Sequence, residues 1–397
     1  MKFGDSNRLE HLDGLRGLAA LYVVVYHANQ AFNTTAFVDG IPSGLRRALG
    51  LINFGQAAVA VFIVLSGYCL MLPVVKAADG GLRGGLIEYF KRRARRILPP
   101  YYAALSVSLL LIAFAPGMNR AHLGWGRSLP AFDSDILLSH LLLVHNLNSN
   151  WAFKIDYPMW SVATEWQIYF CFPLLLLPLW RRFGPVTVVG AAVLAGILPH
   201  WLFKGQVDIA AFEFIGLFAF GMAAAEFSFT DRGIRTINAR SCGITCLALL
   251  FPIALFAKYQ ANWDWRHSAG SNIVVGLAAS CLLVYCAKSL LTFERESPPV
   301  VVRVLRSKPC VLLGSFSYSL YLIHAPIIAV AALVLVHLHA APTLKFACAM
   351  LASVSLAIVS AYVFFLAFER PFLVKRRKTA AVAQMVRDPV PSEAPLG

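Results

Sequence analysis

The chain has 397 residues, 58% of them hydrophobic and 14% charged, with a formal net charge of +15 and a mean hydropathy of +0.66. That composition excludes a soluble globular domain and a disordered chain, and it describes a membrane protein. The positive charge would suit nucleic acid, but the basic residues sit in short loops between apolar runs, as the positive-inside rule requires, so a nucleic-acid partner is excluded.

From the N-terminus, LEHLDGLRGLAALYVVVYH at Leu9 to His27 opens with charges and closes in an apolar run that carries His27. Asp13 and Arg16 flank the run and no small-residue cleavage site follows it, so it reads as a retained helix rather than a signal peptide. Arg16 and His27 are spaced close to three helical turns, about 16 Å along the axis, and fall on nearly one face. A cation at one membrane surface is thereby linked to an imidazole well inside. An ionisable group inside the membrane is costly and marks a candidate site.

Runs near the twenty residues that a helix needs to cross hydrocarbon fall at about 12–31, 54–74, 97–115, 160–180, 184–203, 209–228, 241–258, 271–291, 310–332 and 343–367. The apolar segment at about 136–147 is shorter and contains His140 and His145, which predicts a re-entrant or interfacial piece. The expected fold class is therefore all-α, a polytopic transmembrane helix bundle of about ten spans plus that short helix. With the N-terminus inside, 25 of the 35 lysines and arginines fall in inside segments, which predicts cytoplasmic termini. One membrane domain over 1–376 is expected, followed by a disordered cytoplasmic tail over 377–397, rich in Ala, Pro and polar residues. The eight cysteines lie mostly inside apolar runs without metal-ligand spacing, and no metal is expected.

Four clusters could carry chemistry. The first is the helix of Arg16 and His27. In the second, EYFKRRARRILPPYY at Glu88 to Tyr102, Arg93 and Arg96 share a helical face, and a clustered guanidinium surface suits a phosphate-bearing ligand as well as lipid headgroups. The third is MWSVATEWQIYF at Met159 to Phe170. An aromatic belt explains its Trp160, Trp166 and Tyr169, but Glu165 needs a partner. The fourth is GSFSYSLYLIHAPII at Gly314 to Ile328, where Ser317, Tyr321 and His324 form a polar stripe on one face. His27, His324 and Glu165 are expected at similar depth, with the basic cluster on the opposite side. That arrangement predicts a reaction across the membrane, with an anionic donor held from the cytoplasm and general-base chemistry nearer the exterior. No serine elbow, HExxH or phosphate-cradling Gly-rich loop accompanies it.

Taken together, LDGLRGLAALYVVVYH, VFIVLSGY at Val61 to Tyr68, FKRRARRILPPYY, WSVATE, SYSLYLIH and the closing FERPF at Phe368 to Phe372 resemble the acyltransferase-3 family of integral membrane acyltransferases, over roughly residues 8 to 376. The departures are small: Val162 and Ile63 stand where the family's patterns more often have leucine and an aromatic. The resemblance implies transfer of an acyl group, usually acetyl, from cytoplasmic acetyl-CoA or another acyl-CoA to a hydroxyl of a carbohydrate such as a surface polysaccharide or glycoconjugate. Polysaccharide-biosynthesis proteins are possible partners, and a bacterial cytoplasmic (inner) membrane is the expected location. By position His27 matches the family's essential histidine, Arg16 its partner cation, and Arg93 with Arg96 the arginine pair associated with the donor. In this reading His27 is the base, with His324 and Glu165 assisting, while Trp160, Ser161, Ser317 and Tyr321 contact the acceptor. A proton-coupled transporter or flippase is the alternative, since ten spans with midplane histidines and a carboxylate also suit transport.

Overall fold

The computed structural model describes residues 10–33, 37, 39–118, 133–230, 233, 237–258, 269–292 and 298–373. The expected tail at 377–397 lies outside the described residues. Among those described there are helices and no strand. The principal helices are α1 (Glu10–Phe32), α2 (Gly55–Lys76), α3 (Gly85–Phe114), α4 (Ser134–Leu141), α5 (Met159–Cys171), α6 (Leu177–Leu202), α7 (Phe214–Phe229), α8 (Ala239–Lys258), α9 (Ala269–Thr292), α10 (Lys308–Ser315), α11 (Ser317–Leu335) and α12 (Pro342–Phe364).

Among the described residues seven helical segments are long and apolar enough to cross a membrane, against the ten runs expected. The difference has identifiable causes. The runs at 160–180 and 184–203 belong to one 44-residue segment, Met159–Leu202, broken at Gly184, whose φ of 79° is open to glycine at little steric cost. Helix α1 has the length, but Arg16, His27, Asn29 and Gln30 lower its apolarity. The run expected at 241–258 falls short, since its apolar helix is Ala239–Phe251 among the described residues. The run expected at 310–332 is split at Phe316 into α10 and α11, and α11 keeps the length to cross. Conversely, α3 begins at Gly85, well before the expected 97, so the basic cluster and its span are one continuous helix. The protein is an integral membrane helix bundle.

Burial separates a centre from a rim. In the apolar windows of α2, α7 and α11, 67%, 72% and 67% of positions are buried, against 17% in Met159–Leu202 and 22% in Pro342–Leu373. The central helices are apolar all round, as helices surrounded by other helices must be. Helix α1 packs backbone to backbone against α10 and the short helix Val300–Leu305 before it: a Cβ on Gly14 would stand 1.7 Å from the Leu305 carbonyl oxygen, and one on Gly314 1.9 Å from that of Asp13. Small residues at such crossings let membrane helices approach closely. This approach fixes the depth of Arg16 and His27 along α1.

The described part of the segment between α3 and α5, residues 133–158, doubles back along α3. The Tyr101 and Tyr102 hydroxyls donate to the His140 and Leu141 carbonyls at 2.9 and 2.8 Å, holding the end of α4 deep against α3. Further along α3, Ser108 Oγ donates to Asp156 Oδ2 at 3.1 Å on the returning arm. The two anchors are about 10 Å apart along the α3 axis, so the chain descends, turns at His145–Leu147 and comes back to start α5.

Candidate active site

The functional side chains fall into two groups at different depths. In the first, His27 of α1 faces His324 of α11: Nδ1 of His27 and Nε2 of His324 are 2.7 Å apart, and the rings lie within 10° of parallel. The hydrogen-bond network assigns the protons. His324 Nδ1 stands 2.8 Å from the Tyr321 carbonyl and 3.1 Å from that of Leu320. A carbonyl only accepts, so Nδ1 of His324 carries the hydrogen, and its Nε2, in the neutral ring, accepts. The donor in that contact is therefore Nδ1–H of His27. This leaves Nε2 of neutral His27 with a lone pair, the feature a general base requires. His324 is fully buried, whereas His27 is half-buried. The ring of Tyr157 meets the His27 ring edge-on, with centroids 4.8 Å apart.

Two predicted contact residues join this group. Ser161, on the first turn of α5, places Oγ 2.6 Å from the Tyr321 hydroxyl, and Tyr321 also donates to the Pro158 carbonyl at 3.3 Å. The expected stripe Ser317–Tyr321–His324 is divided: Ser317 Oγ donates to the Gly314 carbonyl at 2.9 Å, tying the start of α11 to α10. Trp160 packs against the Phe214 ring at 5.8 Å between centroids.

Glu165 corrects an expectation. It was assigned to support a histidine, but it accepts hydrogen bonds from Ser66 Oγ of α2 and from the Tyr169 hydroxyl. The cause is helical rise, which carries Glu165 about 9 Å along α5 from Met159 and away from the imidazoles. There it borders the arginine group.

In that second group, Arg16 donates to Asp13 Oδ1 at 2.9 Å and to Cys69 Sγ at 3.0 Å. The Arg93 guanidinium lies over the Tyr169 ring, 5.9 Å from its centroid, close enough for a cation–π contact. Its Nε is buried with no partner among the described residues. Arg96 is close enough to both Arg16 and Arg93 to be repelled by them. Glu369, 4% exposed, is near Arg96 and Arg16, but its hydrogen bonds come from Ser319 N at 3.2 Å and Ser319 Oγ at 2.5 Å. Among the described residues neither Arg93 nor Arg96 forms an ion pair. Three converging guanidiniums with an orphaned buried N–H fit an oxyanion-bearing ligand. Among the described residues no group of three His, Cys, Asp or Glu side chains is placed to hold a metal.

Sequence reasoning missed Ser66, Cys69 and Glu369 as parts of this group, and it took Tyr169 for a belt residue. Glu369 carried a signal, as a carboxylate in the closing FERPF motif. Ser66 carried one as the serine of the VFIVLSGY motif, whereas Cys69 carried none beyond membership of an apolar helix.

The chain matches the family model described as an acyltransferase domain, Acyl_transf_3, over residues 9–362. Among proteins similar to it, the O-acetyltransferase OatA of Staphylococcus aureus (strain NCTC 8325 / PS 47) is 21% identical over 351 residues, covering 81% of this chain and 50% of that protein. YrhL of Bacillus subtilis (strain 168), named as a candidate peptidoglycan O-acetyltransferase, is 24% identical over 349 residues, covering 80% of this chain and 48% of that one. The chain thus spans about half the length of the curated relatives it matches. No solved structure matches it.

Proposed function

Because the chain belongs to the acyltransferase-3 family, we propose that it is a membrane O-acetyltransferase that moves an acetyl group from cytoplasmic acetyl-CoA to a hydroxyl of a surface carbohydrate or glycoconjugate. The observation that carries this reading is the nitrogen-to-nitrogen contact of the histidine pair, whose assigned protons leave one lone pair on His27 Nε2, at its half-buried ring. His27 Nε2 takes the acceptor hydroxyl's proton as its oxygen attacks the thioester carbonyl. The new C–O bond forms, the C–S bond breaks, and the proton passes to the departing CoA sulfur. His324 accepts from His27 Nδ1–H and so fixes the ring and steadies the imidazolium. Two relatives named for O-acetyl transfer support the choice of acetyl.

The donor's phosphates sit among Arg16, Arg93 and Arg96, whose planar forks match phosphate oxygens. The long pantetheine arm bridges the depth between this group and His27. The excess of lysine and arginine in the segments on the arginine side supports cytoplasmic termini and a bacterial inner membrane.

Detergent-purified protein given acetyl-CoA without an acceptor is expected to release free CoA thiol slowly, as water replaces the acceptor hydroxyl. A permease or flippase would release none, and a zero rate from folded protein would overturn the enzymatic reading.

A further inference from the structure

The two arms of the segment at 133–158 border an open cleft of about 560 Å³, lined by Asp133, Asp135, Asn148, Asn150, Trp151 and Lys154 among others. Its volume falls within the range typical of small-ligand sites, about 300–1,000 Å³. The cleft lies at the end of the bundle away from the arginines. Along α3 the order is Arg93 and Arg96, then Tyr101 holding the deep end of α4, then Ser108 holding Asp156 on the returning arm. The catalytic reading makes no use of it.

The lining is chemically specific. Trp151 is half-buried, and its Nε1–H donates to Asp135 Oδ2 at 2.9 Å, which fixes the plane of the indole. Asn148 Oδ1 accepts from the Asn150 backbone N–H at 2.9 Å, which orients that amide and leaves its NH₂ free to donate. Asp133 is exposed and forms no ion pair among the described residues. Carboxylates accept, amide and ammonium groups donate, and a fixed aromatic face takes C–H groups. With two carboxylates to one ammonium, the lining repels a phosphorylated donor. Its scarcity of apolar side chains gives an acyl chain nothing to bury against.

A ligand with hydroxyls around its edge and C–H groups on its faces meets all of these terms. We propose that this cleft binds sugar rings of the acceptor and so holds the carbohydrate over the histidine pair. The inference rests on the reading of the protein as a carbohydrate acyltransferase. The connection to the reacting end is short: Lys154 precedes by three positions Tyr157, whose ring contacts that of His27.

The test uses purified full-length protein, labelled acetyl-CoA, and carbohydrate released from the surface of cells in which the gene has been deleted, which has never met the enzyme. Trp151→Ala should raise the KM for this carbohydrate about five- to tenfold, the worth of one aromatic contact, with a much smaller change in kcat. Trp151→Phe, which restores a ring without the Nε1–H, should recover most of the loss. Asn150→Ala, at an exposed position unable to disturb the core, should raise the same KM severalfold. If the wild-type protein acetylates this carbohydrate and both alanine variants keep its KM, the cleft is not the acceptor site. If the wild-type protein cleaves acetyl-CoA but labels no carbohydrate, the carbohydrate reading itself falls and takes the cleft's ligand with it.

Discussion

The bundle contains two histidine pairs, and their geometries differ in the one respect that decides chemistry. His27 and His324 meet nitrogen to nitrogen at 2.7 Å with their rings 5.0 Å apart. His140 and His145 stack face to face, with centroids 3.9 Å apart and planes within 6°, and no hydrogen bond joins their nitrogens among those described. In the first pair a backbone carbonyl fixes one proton, the partner fixes the next, and a lone pair remains at a half-open ring. In the second both residues are fully buried, and the groups beside their nitrogens are backbone groups, of Ile136 and Lys154 for His140 and of Ser139 and Met159 for His145. Burial holds the second pair neutral: the His145 pKa is pushed down to about 3, by desolvation first and by His140 second. The stacked pair thus lacks the arrangement proposed for the base. A base needs a proton fixed on one side and an accessible lone pair on the other.

The largest effect expected from this contrast is at His27. His27→Ala removes the lone pair and should lower transfer by about 10² to 10⁴, the usual worth of a general base, while acetyl-CoA binding, measured by titration, stays near wild type. His27→Gln keeps a donor towards His324 but supplies no base and should be equally inactive. Near wild-type transfer by either variant would place the base elsewhere.

A smaller effect is expected at the arginine end. Arg93→Lys or Arg96→Lys keeps the charge but loses the planar fork, so the KM for acetyl-CoA should rise about tenfold with kcat less affected. An unchanged KM for both would return the cluster to a topology signal. Rescue of Arg93→Lys by high donor concentration, with no such rescue of His27→Ala, would separate binding from chemistry at the two ends of the site.

How much of this was legible in the sequence follows from the range of the forces involved. Period and hydropathy act along one chain, so the extent of α1 and the eleven-residue offset of Arg16 from His27 could be read directly. That 136–147 forms only a short helix was legible from the length of its apolar run. The pairing of His27 with His324 was legible only as similar depth, since the contact depends on which helices are neighbours. Glu165 was misassigned for the same reason: its partners Ser66 and Tyr169 are set by the packing of α2 against α5. The break at Phe316 was hidden because the segment is apolar on both sides, and only the close approach of Gly314 to the Asp13 carbonyl shows why α10 is a separate element.

The smallest effect on activity is expected at the second pair, where the readout is stability against pH. His145 has a folded pKa of about 3, well below the ordinary value near 6.5, so between these limits the unfolded chain binds a proton that the folded chain refuses. The neutral group's contribution is therefore fully present above about pH 6.5 and is lost as pH falls towards 3, at about 1.4 kcal/mol per pH unit. His145→Phe keeps a flat ring against His140 and removes the titrating group, and because His145 lies outside the His27–His324 pair it should leave transfer at neutral pH almost unchanged. Its thermal unfolding midpoint, followed from pH 7 to pH 4, should decline less steeply than that of the wild type. A loss of activity comparable to that of His27→Ala would put the stacked pair into the chemistry and erase the distinction between the two.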